Sequence, residues 1–214
     1  MILRILLCVI ISYLLGCCHP AYFFGKTKNK LDIRDHGTNN SGTSNAVIVL
    51  GFKYGVMTFV IDFLKGTAAV LITRYLIYDS PVFIYTACAF VFLGHLFPFY
   101  LKFRGGKGLA VTLGASLGLE PLLCLALVVA LIAASVITQY LVAGTVTVSV
   151  LFAVYTGYVY GLFSFPFAFA LIICVLMLYM HKANYKKIRN RTEPRLFDVL
   201  GINKARNKDD NTEQ

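Results

Sequence analysis

Three polar segments interrupt an otherwise apolar chain, and each carries residue types suited to a phosphate. The first is Asp35-His36-Gly37-Thr38-Asn39-Asn40-Ser41-Gly42-Thr43-Ser44-Asn45, which leads directly into an apolar helix. Successive backbone N–H groups in a Gly-rich turn before a helix start can cradle an anion. Thr38 and Asn40 add neutral donors, and Ser44 or Asn45 can cap the helix. A capped loop without a ligand fits the same residues equally well. The second segment runs from Gly94-His95 to Arg104-Gly105-Gly106-Lys107-Gly108. Lys102, Arg104 and Lys107 flank the start of another apolar helix, and fixed cations with open backbone amides again suit a phosphate. A basic membrane loop explains the charges but not the three glycines. This is not a Walker A loop, because Gly108 follows the Gly-Lys pair. The third segment is His181-Lys182-Ala183-Asn184. His181 and Asn184 are three apart, hence on one face of a helix. A histidine can donate, accept or carry charge. An interfacial polar pair is the plain alternative. Glu193, further on, can neutralise the basic loop or shape the site.

The elements that position these segments are read from composition. The chain has 214 residues, 58% of them hydrophobic and 14% charged. Soluble domains carry about 25% charged residues, so this chain lacks the surface of a soluble globule. The same figures exclude intrinsic disorder for the chain as a whole. The excess of 20 Lys+Arg over 10 Asp+Glu is grouped at Lys26–Arg34, at Lys102–Lys107 and from Lys182 to Lys208. Basic groups between apolar stretches mark cytoplasmic loops. The motif classes of nucleic-acid readers are absent, which excludes nucleic acid as a partner.

If all three basic groups face the cytoplasm, an even number of crossings separates each neighbouring pair. A helical crossing takes about 20 residues, so residues 46–101 hold two. Residues 108–180 hold four short crossings, or two with breaks at Glu120-Pro121, Gly144 or Phe165-Pro166. The apolar run at residues 1–24 adds an uncleaved first span. Its Leu14-Leu15-Gly16-Cys17 looks like a lipoprotein cleavage site, but the apolar character continues past it. The expectation is an all-α polytopic membrane protein of about seven transmembrane helices, with five as the alternative. Either count leaves the N-terminus outside and the C-terminus cytoplasmic. Residues 1–202 form the membrane domain, and residues 203–214 a disordered charged tail. The six Cys lie in apolar stretches with no metal spacing and are read as small buried residues. Asp62 and Lys65 can pair within a helix break. No cluster of carboxylates lies near the motifs, so no metal and no cofactor is expected.

At these segments the chain resembles the bacterial membrane-integral acyl-phosphate:glycerol-3-phosphate acyltransferases. Gly37 to Asn45, GTNNSGTSN, resembles that family's first motif, GSGNxGATN. Asp62-Phe63-Leu64-Lys65-Gly66 is similar to its DxxKG segment, and GHLFPFYLKFRGGKG to its second motif, GHxFPxFxxFKGGKG. His181-Lys182-Ala183-Asn184 followed by Glu193 is similar to the third, HxxN…E. The motifs occur in order over residues 13–193.

The resemblance implies transfer of an acyl chain from acyl phosphate to the 1-hydroxyl of glycerol 3-phosphate, giving 1-acylglycerol 3-phosphate for phospholipid synthesis. It implies a bacterial inner-membrane enzyme with its site on the cytoplasmic side, supplied with acyl phosphate by a soluble enzyme. Thr38, Arg104, Lys107, His181 and Asn184 are the expected catalytic residues. Gly37, Asn40, Gly42, Ser44, Asn45, His95, Gly105, Gly106, Gly108 and Glu193 are the expected substrate-binding residues. The chain departs from the family at Thr38 for Ser, Asn39 for Gly, Arg104 for Lys, and Ile48 where an Arg is usual, so Lys53 or Arg34 would have to replace a phosphate contact. Two other classes fit less well. A motif-degenerate homologue would bind lipid phosphate without turnover. An anion transporter would need charges along a pathway, whereas here they gather at one interface.

Overall fold

A computed structural model describes residues 1–199, so the expected tail at 203–214 lies outside the described residues. Those residues form helices joined by short loops, with no strand among them. The first apolar run is two helices, α1 (Ile2–Gly16) and α2 (Pro20–Asn29), together long enough to cross a membrane. A loop with one 3-10 turn (Ile33–Asp35) leads to a short helix, α3 (Thr43–Leu50). The long helix α4 (Phe52–Ile72) continues through a π turn at Thr73–Ile77. Then follow α5 (Pro81–Leu96), α6 (Leu109–Leu119), α7 (Pro121–Thr138), α8 (Leu141–Tyr160), α9 (Phe165–Met180), α10 (Lys182–Arg189) and α11 (Leu196–Val199).

Among the described residues, five helical segments are long and apolar enough to span, and six when the bent pair α9–α10 is taken as one. Helix α6, with 11 residues, is shorter than a span. It is also well enclosed: eight of its residues are buried, and it packs against α4. Helix α7 carries the opposite pattern, with Leu122, Leu125, Val129 and Ile132 all exposed. Exposed apolar rows of this kind face lipid.

Helix starts are encoded locally. Ser80 precedes Pro81 and accepts from the N–H of Phe83, Glu120 precedes Pro121 and accepts from Leu122, and Ser164 caps α9 in the same way. A polar cap followed by proline in the first turn starts a helix and stops the one before. Glu120-Pro121 is therefore the expected break. Gly144 is not: it lies inside continuous α8, where a side chain would meet Ser135 Oγ and the Leu131 carbonyl of α7. The actual turn is at Gln139-Tyr140. Glycine serves close packing there, as small residues do between membrane helices. The same holds for Gly66 and Gly114, where α4 and α6 touch backbone to backbone.

The early end of α6 leaves carbonyls in an apolar setting, where unpaired groups are costly. Arg74, presented by the π turn, donates to the carbonyls of Gly118 and Leu119 at 3.0 and 3.1 Å. Its charge also complements the C-terminal end of the helix dipole. We expect Arg74→Ala to destabilise the folded protein by about 2 kcal/mol, since two charge-assisted bonds to part-buried carbonyls are lost. A lowered melting temperature in detergent, with unchanged turnover per folded molecule, is the expected result.

Candidate active site

All three polar segments meet at one end of the bundle. The first loop is built on its own side chains. Gly37 turns with φ +61°, and a side chain there would overlap Asn45 Oδ1. Asn45 is fully buried; it accepts from the N–H of Thr38 at 2.6 Å and donates to the carbonyls of Ile33 and Asn40 at 2.8 and 2.7 Å. Asn40 donates to Thr38 Oγ1 at 2.8 Å and accepts from the N–H of Gly42. Gly42, not Ser44 or Asn45, is the N-cap of α3, because Asn45 is turned back to brace the loop. Ser44 is exposed in the first turn. Since α3 has no side-chain cap, its opening N–H groups are left for an acceptor, and the helix dipole favours an anion there.

The second loop corrects one expectation. The Gly105 and Gly106 amides are not open; they donate to the carbonyls of Leu96 and His95, both at 3.0 Å. These glycines are required because the loop lies on the end of α5. A side chain on Gly106 would overlap the His95 ring, and one on Gly105 would overlap the His95 carbonyl. Gly108, with φ +97°, is the N-cap of α6, again without a side-chain cap. Two helix N-termini therefore open toward this end of the molecule.

Hydrogen bonds join the segments. The N–H of Ser41 donates to the carbonyl of Gly105 at 3.3 Å, linking the first loop to the second. Arg104 donates to the carbonyl of Arg34 at 3.1 Å and stays about half exposed. Arg34 itself is buried. It pairs with Asp32 at 2.7 Å, donates to the carbonyl of Leu101 and lies over the Tyr22 ring. Arg34 holds Asp32 down to about 2, below the usual carboxylate range. Arg34 is thus consumed as a brace between loops rather than freed to replace the missing arginine at Ile48, which is exposed on α3. The second loop meets the third segment through Lys107 Nζ, which donates to Asn184 Oδ1. Asn184 Nδ2 donates to Glu193 Oε1 at 2.6 Å, so Glu193 fixes which way the amide faces. Burial pushes the Lys107 ammonium below the ordinary lysine range; Glu193 opposes this and Lys187 adds to it.

His181 is buried at the bend between α9 and α10, not within one continuous helix. Its Nδ1 lies 2.9 Å from the carbonyl of Met177. A carbonyl can only accept, so Nδ1 carries the proton and Nε2 is left as acceptor. Of the cysteines, Cys18 is exposed and the other five are buried.

Asp62 and Lys65 do not sit in a helix break. They form a 2.6 Å ion pair on uninterrupted α4, with both side chains almost wholly buried. Lys65 reaches His95 Nδ1 at 2.9 Å, His95 stacks on His19, and His19 Nδ1 lies 2.9 Å from Ser41 Oγ. Ser41 belongs to the first polar segment, but no motif in the sequence ties His19 to the site. The available signal was the presence of ionisable residues in apolar stretches, which marks function by default.

The comparisons with known proteins agree with this geometry. The family model described as glycerol-3-phosphate acyltransferase matches residues 6–191. The chain is 38% identical over 190 residues to a glycerol-3-phosphate acyltransferase of Thermoanaerobacter sp. strain X514, covering 89% of this chain and 94% of that one. It is 31% identical to the Bacillus subtilis strain 168 protein of the same name, over 90% and 97% of the two chains. Among solved structures, the fold is similar to the integral membrane glycerol 3-phosphate acyltransferase PlsY in its glycerol 3-phosphate form. The TM-score is 0.81 at 31% identity, covering 92% of this chain and 98% of that one. Its lysophosphatidic acid form matches with a TM-score of 0.77. With the model matching nearly the whole length and the three motifs gathered at one end, the chain belongs to the glycerol-3-phosphate acyltransferase family.

Proposed function

We propose that this chain transfers an acyl group from acyl phosphate to the 1-hydroxyl of glycerol 3-phosphate, giving 1-acylglycerol 3-phosphate for phospholipid synthesis. The observation that carries the reading is the joining of all three motifs, with the half-buried Lys107 bonded to Asn184 between two uncapped helix N-termini. Two phosphate-bearing substrates need such fixed positive ends. The apolar rows on the bundle suit an acyl chain that reaches the site from the bilayer.

In this reading α1–α2, α4, α5, α6, α7, α8 and α9 make seven crossings, with short α6 shielded by protein. The basic segments 26–34, 102–107 and 182–195 gather at the motif end, which supports a cytoplasmic site in a bacterial inner membrane and an outside N-terminus. A soluble enzyme supplies the acyl phosphate from that side.

The donor is already activated, so no protein nucleophile is required. The acceptor hydroxyl oxygen bonds to the acyl carbon, the bond from that carbon to the phosphate oxygen breaks, and the departing phosphate takes the hydroxyl proton. Lys107 stabilises charge developing on the phosphate and carbonyl oxygens. Arg104, half exposed, serves the phosphate entering from water, while Thr38 and Asn40 line the mouth of the first loop. Asn184 and His181 Nε2 hold the acceptor in line, and orientation supplies much of the rate. The Glu193–Asn184–Lys107 chain preorganises these groups.

Three outcomes are expected with palmitoyl phosphate and radiolabelled glycerol 3-phosphate. Lys107→Ala abolishes product formation, a loss of about a hundredfold or more in kcat. Activity of the unaltered protein falls on the alkaline side below the usual lysine range, because the lowered Lys107 loses its proton early; Lys107→Arg moves that limb upward at lower turnover. His181→Gln raises KM for glycerol 3-phosphate with kcat preserved, because His181 positions the acceptor; a collapse of kcat would assign it as general base instead. Acyl phosphate bound without any product would instead favour a motif-degenerate binding protein.

A further inference from the structure

Below the motif loops lies a polar network in the body of the bundle. Asp62, Lys65, His95, His19 and Ser41 are all buried. They come from α4, α5, the α1–α2 junction and the first loop. Burying a charge pair costs several kcal/mol per ion before mutual attraction repays it, roughly, and apolar replacements are often no less stable. Such a pair is therefore explained better by what it orients than by stability.

The orientation can be read from the donors. Lys65 Nζ has three neighbours: Asp62 Oδ1, the Cys18 carbonyl and His95 Nδ1. An ammonium has three donors and no acceptor, so His95 Nδ1 must accept. A neutral His95 then carries its proton on Nε2. That atom faces Gly106, where an added side chain would overlap it. The carbonyl of His95 also accepts the Gly106 N–H. One residue thus holds the Gly106 N–H through its carbonyl and lays its ring against the glycine, immediately before Lys107. On its other face the His95 ring stacks on His19, with centroids 5.1 Å apart and planes at 22°. His19 holds Ser41 Oγ, and the N–H of Ser41 returns to Gly105, closing a circuit between the two loops.

We propose that Asp62 and Lys65 are positioning residues for acyl transfer: they fix the tautomer and plane of His95, and through its stack with His19 they set Lys107 in register with the first loop. The proposal rests on the acyltransferase reading above. The tautomer claim, however, is tested without activity. In full-length protein carrying nitrogen-15 histidine in lipid nanodiscs, the His95 signals are assigned by their loss in His95→Gln. A proton on Nε2 with Nδ1 bare is expected. A proton on Nδ1, or on both nitrogens, overturns the proposal.

The functional arm uses Asp62→Leu/Lys65→Met, which removes both charges and leaves neither orphaned. The expected variant melts close to the unaltered protein, shows mixed His95 tautomers, and loses about a hundredfold in kcat with a smaller change in KM. A folded variant with kcat within about twofold of the unaltered protein overturns the proposal. Should that variant not fold, His19→Phe keeps the stack but drops the bond to Ser41. A kcat loss of about tenfold supports the circuit, and full kcat contradicts it. If the unaltered protein forms no acylglycerol phosphate, the functional reading fails and the role in acyl transfer falls with it, while the tautomer result still decides whether Asp62 and Lys65 orient His95.

Discussion

A cation held at one end of an apolar bundle is the constraint on which this structure depends. Lys107 must be kept charged, partly out of water and pointing in one direction. The bundle meets this with a chain of directed bonds. Lys107 donates to Asn184, Asn184 donates to Glu193, and the backbone before Lys107 is pinned to the end of α5. Each link restricts the next. The amide of Asn184 has only one orientation that serves both neighbours, since its oxygen faces the ammonium and its nitrogen the carboxylate.

The membrane sets the remaining terms. Every backbone group inside it has to be paired within the protein. Short α6 is tolerated because Arg74 satisfies its last carbonyls and α4 encloses it. The helix begins at Gly108, next to Lys107, with its positive end uncapped. Helix α3 begins in the same way from the first loop. Two dipole ends and one half-buried lysine supply positive potential without adding several like charges that would repel one another. Arg34, which looks free in the sequence, is spent with Asp32 in holding the loops together.

The sequence made the chemistry legible where it was concentrated. Three polar segments in apolar surroundings named the membrane class, the phosphate and the residues Lys107, Asn184 and Glu193 that now form one chain. It was less legible where one residue type serves two purposes. Gly105 and Gly106 looked like open amides for an anion, but their N–H groups are used locally and their lack of side chains makes room for His95. Gly144 looked like a break and is a packing contact. Asp62 and Lys65 looked like a helix interruption, yet a spacing of three residues puts them on one helix face, where they pair without one. The stack of His19 on His95 joins positions far apart in the chain, and no local pattern encodes it.

The central claim is that the second and third motifs act as one unit through Lys107 and Asn184. A double-mutant cycle of Lys107→Ala and Asn184→Ala, measured as kcat/KM for acyl transfer to glycerol 3-phosphate, tests it most directly. The account predicts strong non-additivity, with a coupling of about 1–2 kcal/mol and the double variant little worse than Lys107→Ala alone. Losses that add to within about 0.5 kcal/mol would mean that the two residues act independently, and would contradict it.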